Sequence, residues 1–534
     1  MSESNAASAN LRAAATPSMD DLEQGDRAVL ETNHRGLVTF AIMAVSLCQF
    51  FDATIANVAL PHMRAALSAG PDQISWVLTS FIVATAIATP LTGWLSDRIG
   101  SRNLFLLSTV MFLVASAACG ASTTLSEMVV FRIVQGISAA FIGPMTQTTV
   151  FDITPPSKQA MAMAVFGMMV MVAPITGPWV GGYLTQYLSW RWIYYVNLPI
   201  GIPALAILWF YLPSRQIERR RFDLFGFFSI AVGLAAMQLA LDRGQEKDWF
   251  ESWEIIIEAG VAFSAFWMFV IHTISTPNPL FRKEIFSNSA FLMALGMMLL
   301  MGVSVVGLSS VLPMLFQTIF HFPVIDSGLM MAPRGIGVMI TSFACGQLVR
   351  RMDYRWLIAS GYVIAAGGMW MMTTWTIEMD KSVMYLSIFV QGLGMGMLFS
   401  PMNLMAFATL PPQLRPDGSG LMSLFRSLGG SVGISLIVTQ LSRTQQIVHA
   451  DSGAHITETS FPNMDWAAAI DRVGGMGPGA LAMIDGEISR QAMMISYLNV
   501  FHMLTWMMLI FAPIPFLLKR PVPQREAGRQ AVLE

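Results

Sequence analysis

The chain of 534 residues is 54% hydrophobic and 12% charged, about half the charged share of an ordinary soluble domain, which excludes a soluble globule and points to a polytopic membrane protein. A formal net charge of -2 excludes a general nucleic-acid binder, whose basic stripe would show in the total. Cys48, Cys119 and Cys345 lie in apolar runs and read as small core residues, not as a disulfide framework or metal cluster. No metal and no cofactor is expected.

Residues 1–36 are polar and carry Asp20, Asp21, Glu23, Asp26 and Glu31, so the first apolar segment is expected to be a retained span behind a short tail. Crossing the hydrocarbon core takes about 20 apolar residues. Fourteen stretches qualify, near 37–60, 74–95, 103–121, 127–150, 160–187, 192–212, 222–241, 253–274, 289–317, 327–349, 356–376, 383–409, 418–442 and 495–518. The last follows a loop at 444–492, which mixes apolar pieces (466–470, 480–484) with Gly474, Gly475, Gly477 and Gly479. That pattern predicts short helices joined by turns.

An even number of spans puts both termini on one side. Arg98, Arg102, Lys158, Arg215, Arg219, Arg220, Arg221, Arg282, Lys283, Arg350, Arg351, Arg355, Arg415, Lys519 and Arg520 share that side. Such an excess marks it as the cytoplasm. Tryptophans at predicted span ends, such as Trp76, Trp190, Trp253 and Trp356, suit anchoring at the bilayer interface.

The second span runs into GWLSDRIGSR, Gly93 to Arg102, and a decayed copy, GQLVRRMDYR, runs from Gly346 to Arg355. Alignment pairs Gly93 with Gly346, Arg98 with Arg351 and Arg102 with Arg355, whereas Asp97 falls on Arg350. VQG at 134–136 recurs at 390–392, and Pro155-Pro156 recurs as Pro411-Pro412. A nearly constant offset means a duplicated multi-helix unit. The copies place the unmatched pair seventh and eighth. The resulting organisation is a cytoplasmic tail (1–36), a six-helix bundle (37–212), a linker with two inserted helices (213–280), a second six-helix bundle carrying the loop 444–492 (281–518), and a cytoplasmic tail (519–534). Related halves of this kind are what a rocking transporter uses, with its site at their interface near the midplane.

With FFDATIANVALP from Phe50 to Pro61, GWLSDRIGSR, RIVQG from Arg132 to Gly136 and APITGPWVGG from Ala173 to Gly182 in order, the chain resembles the fourteen-helix drug:proton antiporters of the major facilitator superfamily, the EmrB/QacA-type branch. The resemblance covers residues 37–518. It implies an all-α membrane fold of two six-helix bundles plus two inserted helices, and export of hydrophobic or amphiphilic compounds driven by the proton gradient, with no other cofactor. It also implies a bacterial inner-membrane location. Members of that branch in double-membraned bacteria work with a periplasmic adaptor and an outer-membrane channel, and the loop 444–492 would suit docking of such an adaptor.

Asp52 falls roughly 22 Å along a helix starting near Leu37, and Arg132 roughly 8 Å into one starting from the other face, at about 1.5 Å per residue. Both therefore sit at one depth in the outer membrane half. Burial disfavours and a guanidinium favours an ionised carboxylate, so such a pair can bind and release a proton as its geometry changes. The alternative is a static brace between the first and fourth helices. Gly93, Asp97, Arg98, Gly100 and Arg102 are, by the resemblance, a latch between the bundles, though the arginines also fix topology. Gly177, Pro178, Gly181 and Gly182 combine a kink with a small face for close packing; the resemblance makes them a hinge of exporters.

Asn57, Gln135, Asn197, Gln391 and Asn403 are candidate cavity polars, with Arg334 and Arg426 as further bases inside spans. Three core arginines facing one firmly placed acid would favour anionic or neutral amphiphiles. The chain has no HExxH, GxSxG or Walker sequence, so no enzymatic or ATP-driven role is expected. An uptake symporter or a non-transporting sensor remains an alternative, and the GPxxGG segment speaks against uptake.

Overall fold

The computed structural model describes residues 28–517 apart from 216, 218–219, 350 and 456–477. Among the described residues every regular element is a helix, the form that lets an apolar segment satisfy its backbone polar groups without water. Fourteen long helices follow in order: α1 Arg35–Ala66, α2 Trp76–Ile99, α3 Ser101–Ala121, α4 Leu125–Ile153, α5 Gln159–Tyr187, α6 Trp192–Tyr211, α7 Leu224–Arg243 and α8 Trp253–Ser275. The second half continues with α9 Ser289–Thr318, α10 Ile325–Leu348, α11 Tyr354–Met372, α12 Lys381–Ala408, α13 Arg415–His455 and α14 Pro478–Phe511. Among the described residues thirteen are long and apolar enough to span a membrane. The fourteenth, α11, is 19 residues long. It begins with Tyr354 and Arg355 and carries Gly361, Gly367 and Gly368, which lower its hydropathy without removing it from the bundle.

Some boundaries are signalled locally. Thr124 starts α4 with a capping box, its side chain accepting from Glu127 N while Glu127 reaches back, which satisfies donors that a helix start leaves orphaned. Gly100 separates α2 from α3 at φ +88°, a conformation that suits glycine and penalises a side chain.

Two boundaries differ from the sequence reading. Spans expected at 418–442 and 495–518 belong to helices running on to His455 and starting already at Pro478, because polar residues end a hydrophobic span without ending a helix. The expected loop 444–492 is therefore helical at both ends, with His449 and Asp485 joined at 3.0 Å. Ala480 to Ile484 lies within α14. The segment 466–470 and the glycines at 474, 475 and 477 lie outside the described residues, as do both tails for most of their length.

Packing follows the duplication. In the first bundle α1 packs on α5, α2 on α4, and α3 on both α4 and α6; in the second α9 packs on α13, α10 on α12, and α11 on both α12 and α14. The bundles meet along two seams that are pseudo-symmetric counterparts, α2 against α13 and α5 against α10. The inserted α7–α8 pair lies over the first seam, since α7 packs on both α2 and α13. Thr79 bonds Asp242, and Trp249 Nε1 donates to Thr439 Oγ1 at 3.1 Å.

Candidate functional site

Asp52 on α1 is 2% exposed and sits in a closed polar cluster built by five helices. Arg132 Nη1 on α4 donates to Asp52 Oδ2 at 2.5 Å, Gln135 Nε2 donates to Oδ1 at 2.9 Å, and Asn197 Nδ2 on α6 reaches Oδ1 at 3.4 Å. Arg132 is held in turn by the Val77 carbonyl of α2 at 3.0 Å and lies 4.2 Å over the Phe81 ring. Asn197 also donates to Ser116 of α3 at 3.0 Å. Arg132 and Gln135 come from the same helix face because three residues separate them. Removing either charge alone would leave the other buried and uncompensated, a strongly unfavourable state. The cluster can therefore change its proton content only together with a rearrangement of α1 against α4.

A second charged cluster closes the α2–α13 seam at the end of the molecule that carries the short basic connections. Asp97 at the end of α2 pairs with Arg220 at 2.8 Å and with Arg282 at 3.4 Å, and Arg220 also reaches Asp417 in the first turn of α13 at 3.3 Å. Beside it, Asp152 at the end of α4 holds Arg215 and, at 2.8 Å, Arg415. Arg215 Nη1 additionally donates to the Pro412 carbonyl at 2.8 Å. The linker arginines thus tie acids of one bundle to the start of α13 in the other. Gly93 is indispensable to this geometry, because a methyl group there would overlap the Asp417 carboxylate.

Of the expected latch residues, Gly93 and Asp97 lie in this seam. Gly100 forms the turn that follows. Arg98 is exposed over the Trp94 ring at 5.4 Å, and Arg102 Nη2 donates to the Trp209 carbonyl of α6 at 2.5 Å; neither crosses to the second bundle. Asp152 and Asp417 escaped sequence reasoning, and Arg215, Arg220, Arg282 and Arg415 were read only as topology markers. The available signal was that very few acids stand among the bases at that end.

Between the bundles, nearer the basic end than the middle of either helix, Gln147 of α4 bonds Asn403 of α12. They line a narrow interior cavity with Phe166, Phe399 and Arg426, whose guanidinium stands 5.1 Å from the Phe50 ring. Asn403 and Arg426 therefore face the interface. Gln135 and Asn197 belong to the Asp52 cluster, and Asn57 is exposed on α1. Arg334 is buried within the second bundle and donates to Ser309 at 2.9 Å. Gln391 is also buried there, and neither of its side-chain polar atoms has a partner. On α5, Gly177 and Gly181 let the helix close on Thr54 and Ile55 of α1, two residues from Asp52, while Pro174 and Pro178 interrupt its hydrogen-bond ladder.

A duplicated pair of six-helix bundles, with a buried acid–base cluster in one and a charged seam between them, has the architecture of a secondary transporter. The family model of the Major Facilitator Superfamily matches residues 42–434, and the chain belongs to that family. It is 34% identical over 497 residues to the multidrug export protein EmrB of Escherichia coli (strain K12), covering 91% of this chain and 95% of that one. To the fatty acid resistance protein FarB of Neisseria gonorrhoeae it is 32% identical over 491 residues, covering 91% and 96%. The solved structure of the human organic anion transporter MFSD10 (TETRAN) shares the fold, with a TM-score of 0.56 at 14% identity over 89% of this chain and 99% of that one.

Proposed function

We propose that the protein exports hydrophobic or amphiphilic compounds across the bacterial inner membrane in exchange for protons, with the basic end and both termini in the cytoplasm. The observation that carries this reading is the Asp52 cluster, a carboxylate enclosed with its own guanidinium and reachable only by moving helices. Intramembrane ionisable groups of this kind are functional by default. Protonation of Asp52 would release Arg132 to Gln135 and the Val77 carbonyl, loosening α1 from α4. The small face of α5 packs two residues further along α1, so that loosening reaches the helix that also forms the α5–α10 seam. Opening of the α2–α13 seam would require Asp97, Asp152, Asp417 and their arginines to separate. Cargo would bind at the interface near Asn403 and Arg426. The proton gradient is the sole energy source in this scheme, and no cofactor takes part.

The deciding experiment is transport by reconstituted vesicles under an imposed pH gradient, comparing wild type with Asp52→Asn. Wild type should accumulate a lipophilic dye against its gradient and Asn should not; equal accumulation by both would remove Asp52 from the coupling. For the partner, α13 and α14 run beyond the bilayer together at the end opposite the basic connections, a projection suited to a periplasmic adaptor feeding an outer-membrane channel. Deleting 452–486 and joining the ends should spare vesicle transport and abolish whole-cell resistance. Full whole-cell resistance would refute docking there.

A further inference from the structure

The two seams are built on equivalent residues and differ in charge. At the first, Gly93 receives Asp417, whose Cα stands 3.1 Å from where a β-carbon would be; at the second, Gly346 receives Met161, whose Cα stands 3.3 Å away. Met161 and Asp417 are themselves equivalent by the offset that relates Pro155 to Pro411. The backbone contact is conserved between the halves, and the acid is present on one side alone. At the second seam the two acids nearest Gly93 at the first are missing, Asp417 replaced by Met161 and Asp97 by Arg350.

The second seam nevertheless gathers cations. Beside Gly346 and Met161 lies a groove of about 720 Å³ between α1, α5 and α10, lined by Arg35, Lys158 and Arg351 at the basic end and by Met43, Val165 and Leu348. Among the described residues none of these three bases sits in an ion pair, and Arg35 Nε is shielded from solvent without a hydrogen-bond partner. Val165 and Leu348 are exposed apolar side chains, so the wall below the bases is of the kind that meets lipid. Among the described residues neither inserted helix packs on α5 or α10 to any extent like that of α7 on the first seam.

We infer that this groove binds one anionic phospholipid, its phosphate held by Arg35, Lys158 and Arg351 and its first acyl segments lying on Met43, Val165 and Leu348. The lipid supplies from outside the negative charge that Asp97 and Asp417 supply at the other seam. Basic pockets between spanning helices at the headgroup level are suited to such lipids. The occupant bridges both bundles, because Arg35 and Lys158 belong to the first and Arg351 to the second. The inference concerns a bound lipid and holds whatever the cargo.

The test is native mass spectrometry of the full-length protein, titrated with phosphatidylglycerol or with phosphatidylcholine of the same acyl chains. Wild type should retain one phosphatidylglycerol in clear preference to phosphatidylcholine. Arg35→Gln/Lys158→Gln/Arg351→Gln should lose that retention by about tenfold or more. Arg35→Lys/Arg351→Lys should keep it, which separates charge from a folding defect. Met161→Asp, which restores an internal acid while sparing all three bases, should weaken it. Equal retention of both lipids by wild type, or undiminished phosphatidylglycerol on the triple variant, overturns the inference. Displacement of the lipid by oleate that is then itself retained would assign the groove to a carboxylate cargo and overturn it as well.

Discussion

Gln135 and Gln391 occupy the same position in the two halves, and their surroundings show what became of the duplication. Gln135 donates to Asp52 and accepts from Arg132. Gln391, equally buried, has no partner for either side-chain atom. Arg334, a fully buried base of the second half, donates to Ser309 and, among the described residues, sits in no ion pair. The same contrast recurs at the seams, where Gly93 meets an acid and Gly346 meets a methionine. Backbone packing was thus kept in both copies, while acid–base pairing was concentrated in the core of one half and in one of the two seams. Charges are costly to bury, so a carrier that needs one proton site gains nothing from a second, unpaired one.

The contrast is broken most severely at Asp52. Arg132→Ala should cost about 3–5 kcal/mol by stranding the carboxylate, seen as a large drop in thermal unfolding temperature, whereas Asp52→Asn, which leaves Arg132 its bonds to Gln135 and the Val77 carbonyl, should be destabilised less, still fold and lose gradient-driven accumulation. Arg334→Met should by comparison be tolerated, and a collapse of stability as large as that of Arg132→Ala would erase the distinction between the halves.

The seams offer a matched pair. Gly93→Ala must expel the Asp417 carboxylate and should destabilise the closed seam by about 1–3 kcal/mol, raising cysteine labelling from the basic end. Gly346→Ala meets the pliable Sδ of Met161 and the Ala164 β-carbon, both at 3.1 Å, with the Met161 Cα at 3.3 Å, so it displaces no carboxylate and should cost less than Gly93→Ala, about 1 kcal/mol. Equivalent labelling of the two variants would show that Asp417 does not hold the seam.

A smaller effect separates the glutamines. Gln135→Leu should destabilise by about 1–3 kcal/mol, because it removes partners from buried charges, and Gln391→Leu should be neutral or stabilising. Thermal unfolding of both, side by side, measures the difference directly. Asp97→Asn should cost about 1 kcal/mol, since Arg220 keeps Asp417; it should shift accessibility modestly toward the basic-end-open state. Unchanged accessibility together with lost transport would mean that Asp97 acts elsewhere than in the seam.

Sequence alone revealed the helices, the duplication and the Asp52–Arg132 pair, because each rests on a local signal: a run of apolar residues, a repeated string, or a charge where none belongs. Asn197 and Gln135 were legible as polar residues in spans, but not as ligands of Asp52, since that requires knowing which faces of α4 and α6 turn toward α1. The ion pairs of Asp152 and Asp417 join residues up to 263 positions apart and leave no local trace. Their arginines looked like ordinary positive-inside anchors. The ends of α13 and α14 were missed because hydropathy reports where lipid stops and says nothing of where hydrogen bonding along a helix stops.

The length of α13 has a mechanical side. At 41 residues it is a rod about 60 Å long, and it carries Asp417 at the basic end, Arg426 beside the interior cavity, Thr439 against the inserted pair and His449 beyond the bilayer. A tilt of about 10° around its middle would displace each tip by about 5 Å in opposite directions. Such a lever makes release of one carboxylate at the basic end and motion at the far tip a single event, with the inserted helices as its bearing.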